Sequence, residues 1–302
     1  DGLIDGGGLD TLTGGQGADL FRLIENGSTV PYSRDVVVIG VGDSPARSSS
    51  TIDNITGSLT SPAGTGFDTS STNAASHDVL SLQSKIIASD VTHADGADVG
   101  VFAKHSISNG ILTFENASGQ AIAVNTSNVL SAVGYLSQNL TSQIGATVGF
   151  AMDTDGNASS DSLMIFQDNG MLAHASNYLV PDTLVLLSGV TGATLGVTAG
   201  ANVVQLEDTT APNPFYIALT SDGLAFDFAE NAFASNTIAL TMQVNGTGTS
   251  YAVTSVTGSG SSSLSMHTAA SLSANDWALF NYAGTTLASA ISDANGNVLL
   301  AD

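Results

Sequence analysis

The chain of 302 residues contains no cysteine. That removes disulfides, thiol catalysis and thiolate zinc sites. Basic residues are nearly as scarce, with five Lys and Arg against 27 Asp and Glu and a net charge of −22. All five (Arg22, Arg34, Arg47, Lys85 and Lys104) lie in the first 104 positions. A field of this sign excludes nucleic acid as a partner, and also an anionic membrane surface held through basic residues. No apolar run approaches the ~18 residues needed to span a bilayer. Enzyme signatures are missing as well: there is no H-E-x-x-H and no G-x-S-x-G. His77 with Asp78, and His93 with Asp95 and Asp98, are the close His–acid pairs, at a spacing frequent in acidic loops. Asp153 and Asp155 imitate a glycosidase pair, but an exposed turn lacks a cleft. The expectation is a protein that is not an enzyme.

What the chain does have begins at its first residue. DGLIDGGGLDTLTGGQGADLFRL, residues 1–23, reads in units of nine. Asp1, Asp10 and Asp19 fall nine apart, and so do Leu3, Leu12 and Phe21. Gly14 to Arg22 fits G-G-x-G-x-D-x-U-x at each fixed position, and Asp5 to Thr13 keeps the pattern with Asp in place of the first Gly. A Gly-rich linker has no reason to hold acidic and apolar positions in register. The array starts at the sixth position of a unit with no Met before it, so the expectation is a piece of a longer protein entered at the end of a repeat array.

These units resemble the RTX calcium repeat of the parallel β-roll. The resemblance implies that the apolar residue points into the roll and that the Gly-rich half turns through conformations other residues resist. It implies a cage of oxygen atoms for Ca²⁺ at Asp1, Gly6, Gly8, Asp10, Gly15, Gly17 and Asp19. The acidity agrees, because so negative a chain is destabilised unless cations neutralise it. A Cys-free, acidic chain rich in Ser, Thr, Gly and Asn suits a secreted or surface protein of bacteria, where calcium is roughly millimolar and fills weak sites. Seven N-x-[ST] sequons are weak signals in such a composition.

Residues 24–76 are the least core-like stretch. Asp35 to Val41 reads as one β-branched strand that caps the roll, followed by a long loop or, alternatively, a disordered linker. Residues 77–200 read as a β-rich domain with one helix. Strands are predicted at Asp78–Leu82, Ile107–Phe114 around an Asn109-Gly110 turn, Ala121–Val124, Thr147–Met152 and Ser162–Phe166. From Ser127 the period changes, and Val129, Leu130, Val133, Leu136 and Leu140 fall on one helical face with Tyr135 off it. Ser127 or Thr126 is the expected N-cap.

The loop Asp153-Thr154-Asp155-Gly156-Asn157-Ala158-Ser159-Ser160-Asp161 offers alternate oxygen ligands as an EF-hand loop does. Asp153, Asp155, Asn157 and Asp161 are candidate calcium ligands. Gly stands at the fourth position rather than the sixth, however, and Met164 stands at the twelfth, so a polar hairpin turn is the competing reading.

The stretches SHDVLSL, KHSISNGILTF, NVLSAVGYL, VGFAMDTDGNASSDSLMIFQD and PDTLVLLSGVTG resemble a domain found beside RTX repeats in type I-secreted bacterial surface proteins, including S-layer proteins. From D-T-T-A-P at Asp208 the chain resembles bacterial Ig-like repeats, with predicted strands at 215–220, 224–228, 238–244, 251–256, 263–267 and 277–282. Its length is near that of an Ig-type sandwich. Trp277, the sole tryptophan, reads either as a core aromatic or as an interface residue.

The whole is expected to be mainly β: a truncated calcium β-roll (1–23), a capping strand and loop-rich linker (24–76), a β-rich domain with one helix (77–200) and an Ig-like β-sandwich (208–302). The expected function is that of an extracellular calcium-dependent structural protein, secreted by the type I route and self-assembling on the bacterial surface. A segment of an adhesin, binding or spacing a partner, and the non-catalytic tail of an RTX enzyme or toxin are the alternatives.

Overall fold

The computed structural model describes the chain except for residues 6–7, 25–32, 41, 47–51, 58–65, 141–143, 170–181, 210–213, 247, 274–275, 285–288, 294 and 300–302; the side chains of 214–216, 229–231 and 262 also lie outside the description. The protein is mainly β. It divides into two compact units, residues 1–208 apart from 173–178, and residues 209–302.

The nine-residue register becomes a stack of short parallel strands. β1 (Gly2–Ile4), β2 (Thr11–Thr13), β3 (Leu20–Arg22), β4 (Val36–Val38), β5 (Asp53–Thr56) and β6 (Val79–Ser81) alternate between two sheets. β1, β3 and β5 pair in parallel in one sheet. β2, β4 and β6 pair in parallel in the other. Leu3 lies beside Phe21 and Phe21 beside Ile55, while Leu12 lies beside Val37 and Val37 beside Leu80. Each rung therefore contributes its middle side chain to one core, and every one of these except Leu3 is at most 7 % exposed. Burying a side chain of this size stabilises by about 1.5–3 kcal/mol.

The strand at Val36–Val38 does not cap the roll. It is an interior rung between β2 and β6, and β5 follows it within the stretch expected to be loop. No break falls at 76–77 either, because β6 pairs in register with β4. Much of 24–76 lies outside the described residues.

The remainder of this unit is inserted into the roll. β7 (Val91–Val99), β8 (Phe102–Ser108) and β9 (Ile111–Glu115) form an antiparallel meander. Asn109 and Gly110 turn between β8 and β9 at φ +49° and +75°, the left-handed pair that a tight hairpin requires. β10 (Ala121–Ile122) and β11 (Val124–Asn125) lead to α1 (Val129–Asn139), then β12 (Thr147–Asp153), β13 (Ser162–Gln167) and β14 (Thr183–Ser188). β14 pairs antiparallel with β13 on one side and parallel with β5 on the other, which joins the inserted sheet to the roll. β15 (Thr194–Gly196) and β16 (Val203–Glu207) then extend the second roll sheet, with β16 against β6.

β13 is buried along its whole length because it serves two cores. Leu163 and Ile165 face the roll, while Met164 and Phe166 face a second core with Phe102, Phe114, Phe150 and α1. Double burial accounts for its unbroken apolar run. The helix presents Val129, Ala132, Val133, Tyr135 and Leu136 inward. Two details differ from the sequence reading. Leu130 is 51 % exposed, whereas Tyr135 is buried because its hydroxyl meets His105 Nδ1 at 3.0 Å. Asn128 occupies the N-cap instead of Ser127 or Thr126, and its side chain bonds Asn125 N and Ala123 O rather than the helix.

In the second unit, β17 (Pro214–Leu219), β18 (Gly223–Ala232), β19 (Leu240–Val244), β20 (Ser250–Thr257), β21 (Ser261–Thr268) and β22 (Ala278–Tyr282) run antiparallel in the order β17-β18-β21-β20-β19-β22. The pairings fall into two groups, β17-β18-β21-β20 and β20-β19-β22. Continuity passes through β20, whose first half pairs with β19 and second half with β21. A register shift at Val253/Ser255 marks the changeover, as at a corner where a strand changes sheets. Both halves share a core of Phe226, Phe228, Leu240, Met242, Leu264 and Met266. Trp277 is 51 % exposed, so it is not a core aromatic; it lies over Gly246, and its backbone exchanges hydrogen bonds with Asn245.

Candidate metal centres

Every rung of the roll starts at an aspartate, and parallel stacking brings these side chains into columns. Along one column the Asp19 backbone N–H donates to Asp53 Oδ1 at 2.8 Å. Along the other, Asp10 N–H donates to Asp35 Oδ1 at 3.0 Å and Asp35 N–H to Asp78 Oδ1 at 2.9 Å. The repeated hydrogen bond follows from the repeated geometry: a carboxylate at one rung caps the free amide of the rung before it.

Of the residues predicted to hold calcium, Asp10 is half-buried and Asp19 is 4 % exposed. Asp1 is exposed, and its terminal ammonium lies 2.5 Å from Asp19 Oδ1. Asp19 Oδ2 is enclosed without a hydrogen-bond partner. That carboxylate fills the space a Cβ on Gly14 would need, a physical reason for glycine there. Gly8, Gly15 and Gly17 take φ of +124°, +79° and +119°, which side chains resist. Gly6 lies outside the described residues.

The structure adds four acidic residues that the sequence did not mark as metal ligands: Asp5, Asp35, Asp53 and Asp78, each at most 5 % exposed. The missed signal is half of the motif. Asp35-Val36-Val37-Val38, Asp53-Asn54-Ile55-Thr56 and Asp78-Val79-Leu80-Ser81 all repeat the D-x-U-x of Asp10-Thr11-Leu12-Thr13, after connections that have lost the glycine pattern. Burial pushes the Asp35 carboxyl up to about 8, reinforced by contact with the Asp5 side chain and by the charges of Asp78 and Asp5, and opposed by the Asp10 N–H. Burial likewise pushes Asp53 up to about 7, with the Asp19 and Asp43 charges adding and the Asp19 N–H opposing. Like charges enclosed together disfavour ionisation unless a cation joins them.

The second candidate lies in the hairpin between β12 and β13. Asp153, Asp155 and Asp161 each bring a carboxylate oxygen within 4.8 Å of the others. Asp153 accepts Gly156 N at 2.7 Å and Ala158 N at 2.8 Å. Asn157 bonds Asp155 through its side-chain amide at 2.9 Å, while its own oxygen accepts Ser159 N. Hydroxyls of Ser162 and Thr154 hold the Asp161 carboxyl below its ordinary range. These bonds are what a tight polar turn makes, and the converged oxygens are also what a hard cation takes.

The paired histidines have other partners. His77 is buried with Nδ1 2.6 Å from Ser71 O and Nε2 2.8 Å from Val203 O. His93 meets Glu115 at 2.5 Å rather than Asp95 or Asp98. His105 lines a cavity of about 360 Å³ with Asp90, Asp95 and Asn139, and burial lowers its pKa.

Comparison with family models, curated proteins and solved structures finds no match.

Proposed function

We propose that this chain is an extracellular, calcium-dependent structural segment of a bacterial surface protein, secreted by the type I route and packing against copies of itself in a surface layer, sheath or filament. The observation that carries the reading is the pair of aspartate columns along the roll. Calcium at Asp10 and Asp19, with carbonyls of the glycine turns, supplies the charge that these enclosed carboxylates lack. The role is architectural, and no catalytic step is assigned.

Self-association is supported by the two edges of the second unit's sheet. β17 exposes Ile217 and Leu219; β22 exposes Leu279 and Phe280 beside Trp277. Lysine, the usual guard of such edges, is absent from this part of the chain. Two different edges of one sheet meet head to tail, and contacts of that type extend into open assemblies unless the rotation closes. A second reading, an adhesin segment binding a partner through the Trp277–Phe280 row, draws on the same exposed aromatics.

Imaging and light scattering of the protein in millimolar calcium and in chelator separate the two. Ordered assemblies that appear only with calcium, through interfaces above ~1,000 Å², are expected. A monomer at high concentration in calcium would overturn self-assembly and advance the adhesin reading.

A further inference from the structure

We propose that the cavity beside the end of α1 binds a small aliphatic primary amine, held as its ammonium form with one N–H donating to His105 Nε2. The site is independent of calcium and of the roll. The cavity, of about 360 Å³, lies between residues 88–91, the strands β7 and β8, and the C-terminal end of α1. Its volume falls within the range of small-molecule sites. His105 is the lining side chain that combines near-complete burial, at 7 % exposed, with a ring nitrogen left over. Its Nδ1 lies 3.0 Å from the Tyr135 hydroxyl. That hydroxyl gives its one proton to Ala103 O at 3.3 Å, so Nδ1 carries the ring proton and donates it. Nε2 is therefore a bare acceptor, and among the described residues no group donates to it. Burial lowers the His105 pKa, with the Glu115 charge opposing, which keeps this lone pair available near neutral pH.

A buried acceptor without a donor is costly, and the surroundings say which donor suits it. No side chain of the lining is cationic. Asp90 and Asp95 are exposed carboxyls at its rim. Asp90 Oδ1 already takes the Asn109 N–H at 2.8 Å, and Lys104, 3.9 Å from Asp95, offsets part of that charge. The two carboxyls thus contribute field rather than free ligand atoms. α1 ends at the cavity with no basic residue in its last turn, and the negative end of a helix favours a cation. The Asn139 amide offers no competing donor, because it gives its N–H groups to Ala97 O and Tyr135 O. Ala88, Ile107, Leu140 and Ala146 line the cavity with apolar surface for a short alkyl body. An alkylammonium matches all three features: an N–H for the imidazole, positive charge for the field and methylenes for the wall. A metal ion needs several converging ligand atoms, and among the described residues that convergence occurs at Asp153, Asp155 and Asp161 instead.

Three probes of similar size separate these features: n-butylamine, butan-1-ol and tetramethylammonium, titrated calorimetrically into the full chain at about 0.15 M salt. The butylammonium ion should bind at one site per chain. The alcohol lacks the charge and tetramethylammonium lacks the N–H, so each should bind about tenfold more weakly or worse. His105→Phe keeps an aromatic ring but removes Nε2, and Ala94→Leu fills the space from a half-buried position on an edge strand. Each should weaken butylammonium by about tenfold or more. Equal binding of tetramethylammonium would reduce the effect to diffuse attraction of cations by an acidic chain and overturn the site. Equal binding of the alcohol, or unchanged affinity in His105→Phe, would overturn it as well. If the variants fail to fold, nitrogen NMR of the wild type decides. Butylamine should shift the His105 Nε2 resonance and leave the other histidines in place; an unmoved His105 resonance at saturation overturns the proposal.

Discussion

Raising the pH of the calcium-free protein from about 5 to about 8 should weaken its fold. The cause is the pair of enclosed carboxyls at Asp53 and Asp35, raised from 3.8 to about 7 and about 8. A carboxyl with a raised folded pKa binds its proton more tightly in the folded state. The stability it contributes is complete below about 3.8 and is lost as pH climbs to the folded value. At about 1.36 kcal/mol per unit, the two units between pH 5 and about 7 make Asp53 alone worth on the order of 3 kcal/mol over this range, a sizeable part of the roughly 5–15 kcal/mol that holds a domain together. Asp35 and Asp182, also raised by burial, act in the same direction. Glu115, Asp161 and Asp276 are held low, so their contributions are already complete above about pH 5. His105, lowered by burial, opposes the trend only up to its ordinary 6.5. Urea midpoints in chelator, measured across this range, should therefore fall, and Asp53→Asn should flatten the curve. In calcium the trend should disappear or reverse, because metal ligands must be deprotonated. Midpoints that rise with pH in chelator would refute the assignment of buried, proton-binding carboxyls in the roll.

Other outcomes follow from particular contacts. Leu80→Ala removes a fully buried rung residue and should cost about 2–5 kcal/mol, read from denaturation midpoints. Gly110→Ala adds a methyl 2.8 Å from Ile87 and Leu195 at a φ of +75°, so it should destabilise by about 1–3 kcal/mol and speed amide exchange in the β8–β9 hairpin. Tyr135→Phe deprives His105 of its partner and should cost about 1 kcal/mol in the same assay. Trp277, half exposed, should fluoresce like a solvated indole and be open to acrylamide; a blue shift that grows with protein concentration in calcium would place it in the contact between copies.

The first three rungs are legible because Asp1-Gly2-Leu3-Ile4, Asp10-Thr11-Leu12-Thr13 and Asp19-Leu20-Phe21-Arg22 sit at equal spacing, with glycine-rich turns between them. The next three rungs keep the acidic and inward positions but not the spacing, and periodicity cannot register a repeat whose connections vary. Asp10 and Asp19 were therefore readable as candidate ligands, whereas Asp5, Asp35, Asp53 and Asp78 became visible only once strands were stacked. Asn109-Gly110 and the apolar run of β13 announce themselves locally. β7 does not: Val91-Thr92-His93-Ala94-Asp95 lacks alternation because the strand lies at a sheet edge and is mostly solvated. Tyr135 defeats the helical wheel because its ring packs against Phe114 and His105 while its hydroxyl finds buried partners in His105 Nδ1 and Ala103 O. The pairing of β5 with β14 has no local signature at all.

That last pairing determines when the roll can be finished. Asn54 hydrogen-bonds Ser188 across a sequence separation of 134, Ser44 reaches Leu184 across 140, and Arg34 reaches Glu207 across 173. Contacts this distant close large loops and slow folding. The early rungs and the late strands β14 to β16 therefore complete each other only after the whole inserted body between them has been made. A chain shortened anywhere between β6 and β14 would leave both roll sheets with open hydrophobic edges, so the roll and its insertion should be gained and lost as one cooperative unit rather than rung by rung.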